Sequence, residues 1–385
     1  MIIKDLTDND LYKFTTQNAI HKLYPDAIVK YGYINRGNTK FPDGFDFELR
    51  KEINDMAFLA LSEESEKYIR QRCYYFKPDY LEFLKEYRFD PSEVTISLAE
   101  GNLKVDIEGY WYRTVLWEVP ILAIISELYN QMNNNRPVNT EKNAKEKAIK
   151  LKELQAEYSD FGSRRRFSFN VHDKVIEVLK IYSGEYLKGT SNVYLATKHN
   201  LTPIGTHPHE WFMFHAAIYG YKKANELALD AWINVYRGEL GIALADTYTT
   251  DVFFKRFSAR HAGLFDGLRW DSGDPIEFTD KAINYYKSMN IDPQSKTIVY
   301  SDALDVKKIE RIKKYVNKRI HDVYGVGTYL TNDVGVTPLN NVIKITYVKN
   351  HLSEEYKPAV KLSDAKEKFT GDIKEIEICK STLNI

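Results

Sequence analysis

The chain has 385 residues, 43% hydrophobic and 28% charged, with 19 Gly and 12 Pro, a composition that suits a globular protein with a sizeable core and excludes disordered and fibrous classes. Its 54 Lys+Arg balance 54 Asp+Glu, so no global basic field points to nucleic acid or an anionic membrane, and any anion site is local. Met1-Ile2-Ile3-Lys4-Asp5 lacks the apolar stretch of a signal peptide and no run reaches the ~18 apolar residues of a membrane span, so a cytoplasmic protein is expected.

Asp8-Asn9-Asp10 followed by Leu11, Phe14 and Ala19 predicts a capped amphipathic helix, and Ala27–Tyr33 a strand. Two helical stretches follow, the second opening at Pro78. Cys73, in this region, and the distant Cys379 are the only cysteines; they read as buried, inert thiols and exclude a thiolate zinc site. Leu103, Val105 and Ile107 alternate with Lys104, Asp106 and Glu108, the period of a half-buried antiparallel strand. Trp117–Leu122 begins an apolar helix able to cross between domains. Residues 140–157, rich in Lys and Glu without Gly or Pro, read as a solvated amphipathic helix.

From Phe161 onward, short extended runs end in small or polar residues, and helical stretches such as Pro275–Met289 and Val306–Val316 lie between several of them. The runs end at Gly162-Ser163, Gly189-Thr190-Ser191, Gly205-Thr206, Ala245-Asp246-Thr247, Asp271-Ser272-Gly273, Ser301-Asp302 and Gly325-Val326-Gly327-Thr328. Repeated β-then-α order predicts a parallel barrel or doubly wound sheet, with chemistry at the carboxyl ends of the strands.

The densest chemistry lies in Ile204-Gly205-Thr206-His207-Pro208-His209-Glu210-Trp211, between extended residues (Val193–Ala196 and Thr202–Ile204) and an apolar helix opening at Trp211. Three readings stand side by side. His207 and His209 flank one residue, as paired metal ligands do. Alternatively, a neutral imidazole at a helix N-terminus attacks a phosphoryl group, oriented by Glu210 or another carboxylate. In the third reading a histidine merely caps the helix or packs on Trp211. Gly325-Val326-Gly327-Thr328 offers backbone amides to a phosphate. Asp271 and Asp302 suit ribose hydroxyls, Mg²⁺ or plain helix capping, and Arg164-Arg165-Arg166 suits bidentate phosphate recognition or a surface ion-pair patch. Gly-x-Gly-x-x-Gly, the Gly-x-x-x-x-Gly-Lys-Ser/Thr phosphate loop and the apolar run ending in paired acids are all absent.

Six segments in order resemble the nicotinate phosphoribosyltransferase family. They are Asp10-Leu11-Tyr12-Lys13, Phe161–Arg166, Gly189-Thr190-Ser191-Asn192, Gly205–Trp211, Leu268–Pro275 and Gly325–Asp333. The resemblance implies a type II phosphoribosyltransferase: an irregular α/β barrel over 121–344, and a smaller α+β domain over 1–120, joined by 345–385. It implies a cytoplasmic homodimer with shared active sites, and ATP-coupled, Mg²⁺-dependent transfer of phosphoribosyl from 5-phosphoribosyl-1-diphosphate to nicotinate. The products are nicotinate mononucleotide, pyrophosphate, ADP and phosphate, in the salvage route to NAD.

His209 matches the histidine that becomes phosphohistidine, since the family pattern is Gly-Thr-x-x-His-Glu-Trp; His207 falls at a variable position. The resemblance further implies Glu210, Asp271 and Arg269 as catalytic partners. Phe161 of one subunit and Tyr12 of the other would stack on the pyridine ring. Arg164 and Arg269 would take anionic groups, and Asp271 ribose hydroxyls. Thr206, Asp246 and Ser301 join the substrate-binding set, and Glu118 also matches a family position. Asp302, Gly327 and Thr328 would hold the ribose phosphate region, Asp302 with its Mg²⁺. Related nicotinamide enzymes carry an acid where Ser191 stands; a hydroxyl there can donate to nicotinate, favouring the acid over the amide. After Lys361-Leu362-Ser363-Asp364 the family continues Pro-Gly-Lys-like, but this chain reads Ala365-Lys366-Glu367-Lys368. No phosphate role is therefore carried over to the tail lysines.

Overall fold

A computed structural model describes residues 1–350 and 355–385. Its strands, in chain order, are β1 (Ile28–Asn35), β2 (Val94–Ala99), β3 (Asn102–Tyr110), β4 (Glu157–Asp160), β5 (Leu187–Thr190), β6 (Thr202–Pro203), β7 (Ile242–Leu244), β8 (Gly267–Trp270), β9 (Thr297–Tyr300), β10 (His321–Val326), β11 (Asn341–Lys349) and β12 (Lys357–Pro358). Seven form a parallel sheet in the order β6-β5-β4-β10-β9-β8-β7, curled into a half-barrel whose edges are β6 and β7. The other five form an antiparallel sheet, β12-β11-β1-β3-β2. The alternation at Leu103, Val105 and Ile107 thus becomes the buried face of β3, and β1 is clamped between β3 and the distant β11.

The parallel strands are two to six residues long, and site residues lie at or just past their ends. Glycine is required at some of these ends. A Cβ at Gly325 would lie 2.4 Å from Phe161 Cε2, so its absence leaves room for the Phe161 ring against the end of β10. Gly205 serves a different purpose from the turn expected of it: its φ is unremarkable, but a Cβ there would come within 2.8 Å of the Tyr12 backbone nitrogen. The strand end at residue 205 and the helix carrying Tyr12 are thereby brought into contact.

Two expectations are corrected. Val193–Ala196 is not extended but belongs to the helix Val193–His199, because the Asn192 side chain accepts from Leu195 N and caps it. The helix Leu11–Leu23 is not amphipathic on the surface; nearly its whole first half is buried, and Asp10 makes no capping bond because its carboxylate is turned to Ser163 and Ser191.

Trp111, just after β3, stacks on Phe214 with ring centroids 4.2 Å apart and on Trp211 at 5.9 Å. Trp211 and Phe214 lie on the helix His209–Tyr219, so this aromatic seam fixes the helix that begins at His209 against the antiparallel sheet. The apolar helix predicted near Trp117 runs Glu118–Met132 and is buried along most of its length. The Lys/Glu-rich helix runs Thr140–Glu153 and packs on Phe169–Ser183. Cys73 and Cys379 are buried free thiols. Among the described residues no helix is long and apolar enough to cross a membrane.

Candidate active site

His209 is the first residue of its helix and is buried. Its Nε2 lies 3.0 Å from Asp271 Oδ2, at the end of β8, and 3.6 Å from Asp246 Oδ1, past the end of β7. Its Nδ1 lies 3.0 Å from Thr247 Oγ1. Burial pushes its pKa down to about 4; the Lys361 ammonium presses the same way, and the two carboxylates oppose. The imidazole is therefore neutral near pH 7. An ionised Asp271 only accepts hydrogen bonds, which assigns the ring proton to Nε2 and leaves the Nδ1 lone pair facing the Thr247 hydroxyl.

Asp271 is fixed from its other oxygen. Oδ1 accepts from Arg269 Nη2 at 2.9 Å and from Ser301 Oγ at 2.8 Å. Burial alone would raise its pKa, but Arg269 and then His209 hold it well below the usual carboxylate range. Arg269 also donates to Ser301 Oγ and, at 3.1 Å, to Thr206 Oγ1, joining the ends of three strands. Neither Asp271 nor Asp302 caps a helix. That work falls to Asp274 and Asp305.

Glu210 faces away from His209. Its Oε1 lies 2.7 Å from Lys13 Nζ, so the carboxylates that meet the imidazole are Asp271 and Asp246. The arginine triplet is divided among three tasks. Arg166 is fully buried in a two-pronged pair with Asp8 at 2.7 and 2.9 Å. Arg165 donates to the Asn341 carbonyl at the start of β11. Arg164 is left toward the site, 3.4 Å from Glu118, with the carboxylates of Asp10 and Asp271 near enough to stabilise its charge and the neutral Tyr12 phenol close by. Tyr12 is thus brought beside Arg164 within one chain. Ser191 Oγ donates to Asp10 Oδ1 at 2.7 Å and Ser163 Oγ to the same oxygen at 2.6 Å, so the Ser191 proton is already directed at a carboxylate.

His207 is separated from this set. It is fully buried among Phe212, Trp232 and Phe265, neither ring nitrogen has a hydrogen-bond partner, and burial pushes its pKa down to about 3. It does not join His209 in a ligand pair. Among the described residues, the donors that could surround one ion are His209, Asp246 and Asp271, with one atom of each within 4.8 Å of the others. Asp246 Oδ1 is buried without a hydrogen-bond partner, which suits a cation. Asp302, expected with Mg²⁺, is paired with Lys368 at 2.5 Å. Gly327 caps the short helix Thr328–Thr331 beside Phe161, whose backbone N–H donates to Val326 O.

Several residues near the site were given no role in the sequence reading. Lys361 is buried with Asp246 and Asp271 as its nearest stabilising charges. Lys368 Nζ donates to the Asp271 carbonyl at 2.8 Å. Lys344, on β11, has its pKa pushed down to about 7 by burial and by Arg164, Lys361 and Lys13, against Glu118. Thr247 alone carried a local signal, its place beside Asp246 at a strand end.

The sequence model of the nicotinate phosphoribosyltransferase (NAPRTase) family matches residues 156–385, and that of its N-terminal domain matches residues 7–126. The chain belongs to the nicotinate phosphoribosyltransferase family. Curated members named nicotinate phosphoribosyltransferase are 46% identical in Chromohalobacter salexigens, covering 99% of this chain and 98% of that one, and 49% identical in Desulforapulum autotrophicum, covering 99% of each. A crystal structure of nicotinate phosphoribosyltransferase from Porphyromonas gingivalis superposes with a TM-score of 0.98 at 46% identity, covering all of both chains. The Vibrio cholerae structure gives 0.94 at 33% identity, covering 100% of this chain and 95% of that one. The chain is an enzyme of the nicotinate phosphoribosyltransferase type.

Proposed function

We propose that this enzyme transfers phosphoribosyl from 5-phosphoribosyl-1-diphosphate to nicotinate in NAD salvage, and that ATP drives the transfer through a phosphohistidine at His209. The observation that carries the second part is the polarised imidazole: Nε2–H toward an ionised Asp271, Nδ1 toward a hydroxyl, and a neutral ring. The Nδ1 lone pair would form the bond to the γ-phosphorus as the bond to the bridging oxygen of ADP breaks, and Asp271 would offset the positive charge gained by the ring. Water would later cleave the N–P bond, releasing phosphate and restoring the neutral imidazole.

For the base, Arg164 supplies the cation that a nicotinate carboxylate needs, while Phe161 and Tyr12 supply faces for the pyridine ring. Once oriented, the ring nitrogen displaces pyrophosphate at the ribose carbon. A Mg²⁺ ion brought with the diphosphates would neutralise the leaving group, and the oxygens of Asp246 and Asp271 fit such an ion. Arg269, Ser301, Thr206, Gly327 and Thr328 are the groups we assign to anionic and ribose parts of the substrate. The homodimer and its sharing of Tyr12 belong to this proposal as well.

The test is formation of nicotinate mononucleotide and ADP from nicotinate, phosphoribosyl diphosphate and Mg-ATP, with nicotinamide in parallel and ATP omitted as a control. Product from nicotinate, raised by ATP and absent with nicotinamide, is expected. Replacing His209 by Ala should abolish the ATP effect and leave some uncoupled transfer; loss of both activities in a folded variant would overturn the assigned division of labour.

A further inference from the structure

Lys13 is a fully enclosed charge that the mechanism above does not use. Its side chain has no exposure, and its ammonium lies 2.6 Å from Glu118 Oε2 and 2.7 Å from Glu210 Oε1, each acid only 7% exposed. The three residues come from three elements: the helix Leu11–Leu23, which carries Tyr12; the first residue of Glu118–Met132; and the first turn of the helix that begins at His209. Glu118 reaches a second cation through its other oxygen, with Arg164 Nη1 3.4 Å from Oε1. An unbroken line of ion pairs therefore runs Arg164, Glu118, Lys13, Glu210, and ends one residue from His209.

Stability is a poor reason for this line. Buried ion pairs recover little more than their desolvation cost, and apolar side chains of the same volume often serve the fold as well. What such a line does supply is fixed relative position and a path along which charge is felt. The members are unequal: Lys13 holds Glu118 down to about 2 against the effect of burial, whereas burial leaves Glu210 raised despite the same ammonium. Arg164 and Lys13, with the Lys344 amine near Glu118, face two carboxylates, so an additional anion at the Arg164 end must redistribute the pairing along the line.

We propose that Lys13 is a positioning residue that couples occupancy of Arg164 to the placement of the His209 imidazole. An aromatic carboxylate arriving at Arg164 competes with Glu118 for the guanidinium. Glu118 then leans more fully on Lys13, the Lys13–Glu210 contact slackens, and the first turn of the helix holding His209 shifts with it. Arrival of the base is thereby reported to the phosphate-accepting ring with no direct contact between them. This rests on the reading of Arg164 as the site of the nicotinate carboxylate.

The test follows the His209 ring by NMR in protein labelled with ¹⁵N-histidine, its signals identified by their loss in His209→Gln, while nicotinate is added and its affinity is measured by calorimetry. In the unaltered protein nicotinate should move the His209 signals. In Lys13→Met that movement should vanish while nicotinate still binds within about tenfold of the original affinity. Because Lys13→Met strands two buried acids, the charge-balanced Lys13→Met with Glu210→Gln carries the same test should the single variant fail to fold. A movement that persists in either folded variant, or nicotinate that binds the unaltered protein without moving His209, overturns the coupling. Nicotinate that does not bind the unaltered protein at all overturns the reading of the Arg164 site itself, and the coupling with it.

Discussion

His209 Nε2 and Asp271 Oδ2 lie 3.0 Å apart, joining the first residue of a helix to the end of β8, 62 residues away in the chain. That contact settles which ring nitrogen carries the proton, since an ionised Asp271, held by Arg269 and Ser301 on its other oxygen, can only accept. Asp271→Asn keeps the shape and removes the negative charge. Acid-labile ³²P incorporation from γ-labelled ATP into the folded variant should fall by about 10²-fold or more, in line with the loss of an orienting and charge-stabilising partner.

The buried imidazoles bear on stability. The pKa of His209 and of His215 is pushed down to about 4 and that of His207 to about 3, burial being the main cause in each, whereas an unfolded chain titrates near 6.5. Between those values the unfolded chain binds more protons than the folded one. The stability contributed by neutral histidine is therefore present in full above about pH 6.5 and is lost as pH falls toward the folded values. Lowering pH from 7 to 5 should cost about 2 kcal/mol for each such imidazole, of order 5 kcal/mol together, readable as a fall in the denaturant midpoint. Replacing His207 by Phe, which suits its aromatic cage, should shrink that fall by about one third.

Gly325→Ala places a methyl group where the Phe161 ring lies, 2.4 Å from Cε2. The ring must move or β10 must bend. If Phe161 orients the pyridine, KM for nicotinate should rise by about tenfold or more while KM for phosphoribosyl diphosphate changes little, because a misplaced ring costs on the order of 1–2 kcal/mol in one subsite. An equal rise in both would place the damage in the strand end as a whole.

Lys368→Met removes the cation that bridges the Asp271 carbonyl and the Asp302 carboxylate. Both partners are part-exposed, so the fold should lose no more than about 1 kcal/mol. A larger effect is expected on the diphosphate substrate, whose KM should rise by roughly tenfold, with a reduced dependence on ionic strength. An unchanged KM would leave Lys368 as a tether for the C-terminal segment.

Lys344 has a pKa of about 7 because burial and neighbouring cations oppose its charge. An anion bound beside it would reverse that pressure. Binding of nicotinate, whose carboxylate we assign to the neighbouring Arg164, should then take up part of a proton at pH 8, measurable by calorimetry in buffers of different ionisation enthalpy.

The sequence by itself determined the elements with strong local signals: the alternating strand at Leu103–Ile107, the apolar helix after Trp117, the helices 275–288 and 306–316, and the series of strand ends from Gly162 to Thr328. It also picked out His209, Asp271 and Arg164, because motif spacing and position at a strand end are local properties of the chain, whereas Arg269 entered only through the family resemblance. Tertiary structure decided what those residues touch. Glu210 is adjacent to His209 in sequence yet turns to Lys13, 197 residues away, because successive side chains on a helix point in different directions. The ring is held by Thr247 and Asp271 instead, and the tail lysines 361 and 368 return to the barrel mouth from the far end of the chain. Val193–Ala196 reads as extended from its apolar residues but is helical, since one side-chain cap from Asn192 outweighs a weak propensity. Pattern and propensity reach only a few residues along the chain. Each of the pairings that build this site spans tens to hundreds, and only curling of the sheet and docking of the helices bring them together.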